Sequence, residues 1–130
     1  MAFKPLSTLL ALAILGIGAA AEPAVKVVNF SASWCPPCRV LDPRVQDAVE
    51  RFRDQGVALV ELDMTDLDRS STEGRKALAA RLQAVAASHG AAYLWDWYGG
   101  HAGIAVIIAA DNGEPLSCIT TALSTSQIEA

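Results

Sequence analysis

Basic residues are scarce in this chain. Ten Lys and Arg stand against 14 Asp and Glu, a formal charge of −4. Phosphate binding needs a basic face, so nucleic acid is excluded as the natural partner. Proline is missing between Pro43 and Pro115, and cysteine is limited to Cys35, Cys38 and Cys118. Three thiols cannot all pair within one chain, so this is not a scaffold stapled by disulfides. Internal repeats, low-complexity tracts and blocks of like charge are also lacking, which excludes a solenoid or a long disordered arm. What remains is 130 residues, 52% of them apolar, enough for one packed domain.

The N-terminus has the pattern of a secretory signal. Lys4 provides a positive start, residues 6–17 are nearly all apolar, and Ala19-Ala20-Ala21 offers the small residues a signal peptidase needs. The uncharged run 5–21 is short for a membrane anchor, which takes about 20 apolar residues. The expected cut lies before Glu22. It gives a signal peptide over 1–21 and a domain over 22–130, placed in the periplasm or secreted. Removing Lys4 with that segment leaves nine basic and 14 acidic residues, a charge of −5.

Residues 25–30 form an apolar, β-branched run that predicts a buried strand. Leu41, Val45, Ala48, Val49 and Phe52 follow helical spacing, with Gly56 as the stop and Pro43 as an expected kink. Residues 57–64 predict a second strand, apolar on both faces as a central parallel strand requires. Ser70 and Glu73 fit a capping box for a second helix carrying Leu78, Leu82, Val85 and Ala86. Tyr93-Leu94-Trp95-Asp96-Trp97-Tyr98 reads as an aromatic loop. Strands at 104–109 and 117–121 flank an Asp111-Asn112-Gly113 turn. Ser124 caps a brief last helix. The order β-α-β-α-β-β-α implies an α/β fold.

The chemistry concentrates in Cys35-Pro36-Pro37-Cys38. Two cysteines this close add little as a staple; such a pair is redox-active or binds metal. Placed between a strand and a helix, Cys35 meets the positive end of the helix dipole, which favours its thiolate. Cys38 sits one turn in, able to attack a mixed disulfide. Proline suits the first helical position, where an N–H would have no partner.

Val28-Asn29-Phe30-Ser31-Ala32-Ser33-Trp34-Cys35-Pro36-Pro37-Cys38-Arg39, followed by Pro43, resembles the active-site block of thioredoxin-like proteins. Asn29 and the CPPC are most similar to the exported reductases that serve cytochrome c maturation. Asn112-Gly113-Glu114 and Ala122-Leu123-Ser124 resemble the family's C-terminal hairpin and the start of its last helix. The resemblance implies a thioredoxin-like fold: a central mixed sheet, parallel strands plus a C-terminal antiparallel hairpin, flanked by helices. Residues 66–100 form a helical and aromatic insertion. It further implies a thiol:disulfide oxidoreductase with Cys35 as nucleophile, Cys38 as resolving thiol, and Trp34, Pro36 and Pro37 shaping the site. No cofactor beyond the Cys35–Cys38 disulfide is implied. Protein disulfides are the expected substrates, a membrane or periplasmic protein the electron donor, and the chain a monomer.

The departures from the family are specific. Its cis-proline position falls on Ala105, and a cis bond before a non-proline residue costs about 3 kcal/mol, so Ile104–Ala105 is expected trans. In the family that proline is thought to discourage metals. The same cysteines, with His101 as a third ligand, therefore also suit a soft ion such as copper(I). The family's copper chaperones space their cysteines differently. The buried Asp of cytosolic thioredoxins falls on Asn29, and its partner Lys on Glu61. Two readings of Glu61 stand: a buried carboxyl that shuttles the Cys38 proton, or a strand-end glutamate reaching water. Cys118 reads as a small core residue. His89 and His101 flank the aromatic patch, whose side chains read as core first and as a recognition surface second.

Overall fold

A computed structural model describes residues 22–67 and 71–130. The expected signal peptide, 1–21, and Ser70 lie outside them. The elements run β1 (Val25–Ser31), α1 (Pro36–Phe52), β2 (Val57–Asp63), α2 (Thr72–Ser88), α3 (Ala92–Tyr98), β3 (Ile104–Ala109), β4 (Pro115–Ile119) and α4 (Thr125–Glu129). Short 3-10 turns follow α1 at Arg53–Gln55 and β2 at Thr65–Leu67. Among the described residues no helix is long and apolar enough to cross a membrane.

The four strands form one mixed sheet in the order β2-β1-β3-β4. β1 pairs in parallel with β2 and antiparallel with β3, and β3 and β4 make the antiparallel hairpin. Alternation along β1 sends Val28 and Phe30 to one face and Val27 and Asn29 to the other. The first face packs on α2 and α3 through Leu62, Leu82, Ala86, Leu94 and Val106. The second packs on α1 and α4 through Leu41, Val45, Val49, Ala105 and Ile119. Phe30, Leu41, Leu62, Leu94 and Ile108 are fully buried; each large apolar side chain contributes about 1.5–3 kcal/mol by leaving water.

Several expectations are corrected. β2 is an edge strand, not a central one: its inner partner is β1, and Glu61 and Asp63 at its far end are exposed. The aromatic segment is a helix, because its seven residues, lying between Gly90 and Gly99, hold no breaker and Leu94 anchors them in the core. The described residues therefore hold one more helix than predicted. Ser71, not Ser70, caps α2, its hydroxyl accepting from the Gly74 N–H at 3.1 Å. Glu73 falls one place short of the capping-box position. β4 begins two residues early, at Pro115, with a register shift between Ile107 and Ile108. α1 continues without a break through Pro43. The cap on α4 is as expected, with Ser124 and Gln127 bonded reciprocally.

Candidate active site

β1 delivers the chain to α1 through a loop pinned on both sides. The Met64 N–H donates to Ser31 O at 2.7 Å, the Ser33 N–H to Thr65 Oγ1 at 2.9 Å, and Trp34 Nε1 to Thr65 O at 3.0 Å. Trp34, the residue before Cys35, is thus held by Thr65. Cys35 is the N-cap of α1, with Pro36 and Pro37 at its first two positions. Cys35 and Cys38 are joined by a disulfide, with their Cα atoms 5.3 Å apart. The Cys38 N–H points at Cys35 Sγ at 3.2 Å, the one backbone donor the two prolines leave in this turn. Both cysteines are buried, Cys35 at 3% exposure and Cys38 at 1%. Pro36 and Pro37 are exposed beside them.

The segment before β3 closes the other side. The Gly103 N–H donates to Phe30 O at 2.9 Å. Gly103 holds φ at +94°, and a Cβ on it would lie 3.5 Å from Cys35 Sγ and 3.2 Å from Pro37 Cβ. A glycine is needed here both for the backbone angle and for the close approach. Ala105, the position assigned to site shaping, is fully buried in the α1-facing cluster with Leu41 and Val45. No peptide bond among the described residues is cis. Gly103 lies beside the disulfide, and the φ demand that marks it is invisible in sequence.

Polar groups gather one turn below the cysteines. Asn29 and Ser31 are buried, at 0% and 6% exposure. Both donate to Asp42 of α1: Asn29 Nδ2 to Oδ1 at 3.0 Å, Ser31 Oγ to Oδ2 at 2.5 Å. Asn29 Oδ1 is buried with no donor among the described residues. Glu61 stands opposite Asn29 in the β1–β2 register. It is exposed, two residues before the end of β2. Partial shielding from water still raises its carboxyl above the ordinary value, and the negative charges of Asp42 and Asp63 add to that. Asp42 was overlooked in the sequence. Its signal was a charged residue inside the apolar row Cys38, Leu41, Val45.

The remaining candidates lie elsewhere. His101 is exposed, and no three His, Cys, Asp or Glu side chains among the described residues converge as a metal site. His89 Nδ1 lies 2.9 Å from Lys26 Nζ; burial first, then the Lys26 charge, lowers its pKa. Cys118 is exposed, not core, because β4 is an edge strand; its sulfur lies 3.9 Å from the Tyr98 hydroxyl. Of the aromatic patch, Tyr98 packs edge-on against Phe30, while Trp97 is 58% exposed.

A family model described as thioredoxin matches residues 19–75, the stretch holding β1, the cysteine turn, α1 and β2. Native tryparedoxin I from Crithidia fasciculata superimposes with a TM-score of 0.54 at 18% identity, covering 81% of this chain and 74% of that one. The fold is thioredoxin-like. A thioredoxin-family thiol:disulfide interchange protein from Chlorobium tepidum TLS shares it, with a TM-score of 0.50 at 18% identity over 81% of this chain and 74% of that one. In sequence the chain is similar to thioredoxin H2 of Arabidopsis thaliana, 46% identical over 41 residues, 32% of this chain and 29% of the relative. It is also similar to a thiol:disulfide interchange protein DsbE homolog of Paracoccus denitrificans, 50% identical over 38 residues, 29% of this chain and 21% of the relative. The chain thus spans less than a third of the length of these two curated relatives. The thioredoxin-like architecture explains why β1 and α1 meet at the cysteines; α2 and α3 fill the stretch between β2 and β3.

Proposed function

We propose that this protein is an exported thiol:disulfide oxidoreductase that reduces disulfides in periplasmic proteins. The observation that carries the reading is the Cys35–Cys38 disulfide at the start of α1, with the Cys38 N–H directed at Cys35 Sγ. In the reduced protein the Cys35 thiolate attacks one sulfur of a substrate disulfide, and the other substrate sulfur leaves with a proton. Cys38 then gives up its proton and attacks Cys35 Sγ, releasing the second substrate thiol and closing the ring. Two electrons pass from the cysteine pair to the substrate, and a dithiol donor in the membrane or periplasm restores them. The names of the relatives support the exchange chemistry, and the alanine cluster before Glu22 supports export.

Insulin reduction driven by dithiothreitol tests the activity. Wild type accelerates the precipitation of the freed chains, Cys35→Ser does not, and Cys38→Ser accumulates mixed disulfides. A wild type no faster than dithiothreitol alone refutes the reading. N-terminal sequencing of the exported product should begin at Glu22; an intact Met1 on membrane-bound protein would show an anchor instead.

A further inference from the structure

Cys38 is almost wholly buried, and its sulfur lies 4.0 Å from Phe30 O. In the resolving step this thiol must lose a proton with little water at hand, so a neighbouring group must take it. Asp42 follows Cys38 by four residues on α1, which puts the two on one helix face with Cβ atoms about 5–6 Å apart. They also meet β1 at the same place. Cys38 approaches the carbonyl of Phe30, and Asp42 is held by Asn29 and Ser31, the residues on either side of it.

Resting on the exchange reading above, we infer that Asp42 is the proton acceptor for the Cys38 thiol, with Asn29 and Ser31 as its positioning partners. The choice of partners fits a group that must exist in two protonation states. A Lys or Arg beside Asp42 would hold it permanently as an anion. An amide and a hydroxyl each donate and accept. To the carboxylate, Asn29 Nδ2 and Ser31 Oγ donate, as observed. To the carboxylic acid, whose single O–H needs one acceptor, a turned Asn29 amide presents the Oδ1 that has no donor among the described residues, while Ser31 Oγ goes on donating to the other oxygen. Asn29 cannot itself be the base, yet it serves a base supplied by the helix.

The other charged groups around Asp42 are consistent with a route to water. β2 contributes Glu61 and Asp63, both exposed. Arg39, one turn earlier on α1, is exposed, and β3 places the untitratable Ala105 beside Asn29. Glu61 stands opposite Asn29 in the β1–β2 register and is exposed, and its proton affinity is raised by partial burial first and then by negative Asp42 and Asp63, so Glu61 is suited to relay the proton outward. The balance is simple: the Cys38 proton goes to Asp42, the Cys38 electron pair forms the new S–S bond, and the substrate sulfur leaves with the electrons of the broken one.

An aromatic disulfide reagent, dithiobis-nitrobenzoate, separates the two steps, with Cys118→Ser in every protein compared so that this exposed third thiol releases none. Attack by Cys35 releases the first thionitrobenzoate and resolution by Cys38 the second. Asp42→Asn should leave the first release unchanged. It should slow the second by about a hundredfold or more at about pH 6, the low end of what a positioned base contributes, with the deficit closing as pH approaches the thiol range. An unchanged rate and pH profile of the second release would overturn the assignment and leave the exchange reading standing. A wild type releasing neither equivalent would refute both. A readout without a variant guards against misfolding. In reduced, ¹³C-labelled wild type, the Asp42 carboxyl and Cys38 Cβ should share a titration step that is absent from Asp42 in the oxidised protein. Identical Asp42 titrations in the two redox states would overturn the proposal.

Discussion

Gly103→Ala perturbs the site at the point where backbone and disulfide meet. Two costs combine there. The residue holds φ at +94°, where an L side chain is strained by about 1–2 kcal/mol. The new methyl would lie 3.2 Å from Pro37 Cβ and 3.5 Å from Cys35 Sγ. Pro37 belongs to a rigid helix start, so the crowding is relieved by shifting the loop, an overpacking cost of about 1–3 kcal/mol. Gly100→Ala is the matched control: φ is +83°, and nothing lies within 4 Å of its Cβ position. The expected losses are about 2–5 kcal/mol for Gly103→Ala and about 1–2 for Gly100→Ala. At about 4 °C per kcal/mol for a domain of this size, Tm falls by about 8–20 °C and about 4–8 °C. Calorimetry on the oxidised proteins measures both. The second assay is the rate of disulfide reduction by dithiothreitol, which Gly103→Ala should slow by shielding Cys35 and Gly100→Ala should leave alone. Equal Tm losses, or a Gly103→Ala disulfide reduced as fast as wild type, would refute the placement of Gly103 against the sulfur.

Leu94→Ala should cost about 2–5 kcal/mol, since Leu94 is fully buried and links α3 to the sheet; a loss below about 1 kcal/mol in urea unfolding would mean α3 is not part of the core. Glu61→Gln should change stability in a pH-dependent way. The folded protein holds the Glu61 proton more tightly than the unfolded chain, so this group's favourable contribution is present in acid and lost as pH rises through its folded value. The variant should therefore match wild type below the ordinary value of 4.5 and exceed it above the raised one; a wild-type advantage at neutral pH in urea midpoints contradicts this. The Cys35–Cys38 pair should equilibrate with glutathione nearer thioredoxin's potential, about −270 mV, than the strong oxidant's, about −120 mV. Pro36 and Pro37 remove two N–H donors from the thiolate and leave that of Cys38; a value close to the oxidant's would sink that argument.

The sequence by itself determined the features that depend on neighbours along the chain. Residues 25–30 form the apolar, β-branched run of a buried strand, and Cys35-Pro36-Pro37-Cys38 sits where a strand ends and a helix begins. The spacing of Leu41, Val45 and Val49 sets the buried face of α1, and Ser124 with Gln127 spells its own cap. Local hydrogen bonding and helical period suffice for these, so the cysteine pair and its helix were legible before any fold was known. Only the tertiary structure decided what each element faces. Whether β2 is central or at an edge depends on which strands flank it, and its apolar run is compatible with both. The aromatic segment became α3 because Leu94 found a place beneath Phe30's face of the sheet. Gly103 carries no local mark of its place, and Asp42 only a charge within an apolar helical row. One is placed by a bond from its N–H to Phe30 and the other by donors from Asn29 and Ser31. Those contacts join segments 11 to 73 residues apart, and such a meeting is fixed by packing, not by any pattern within either segment.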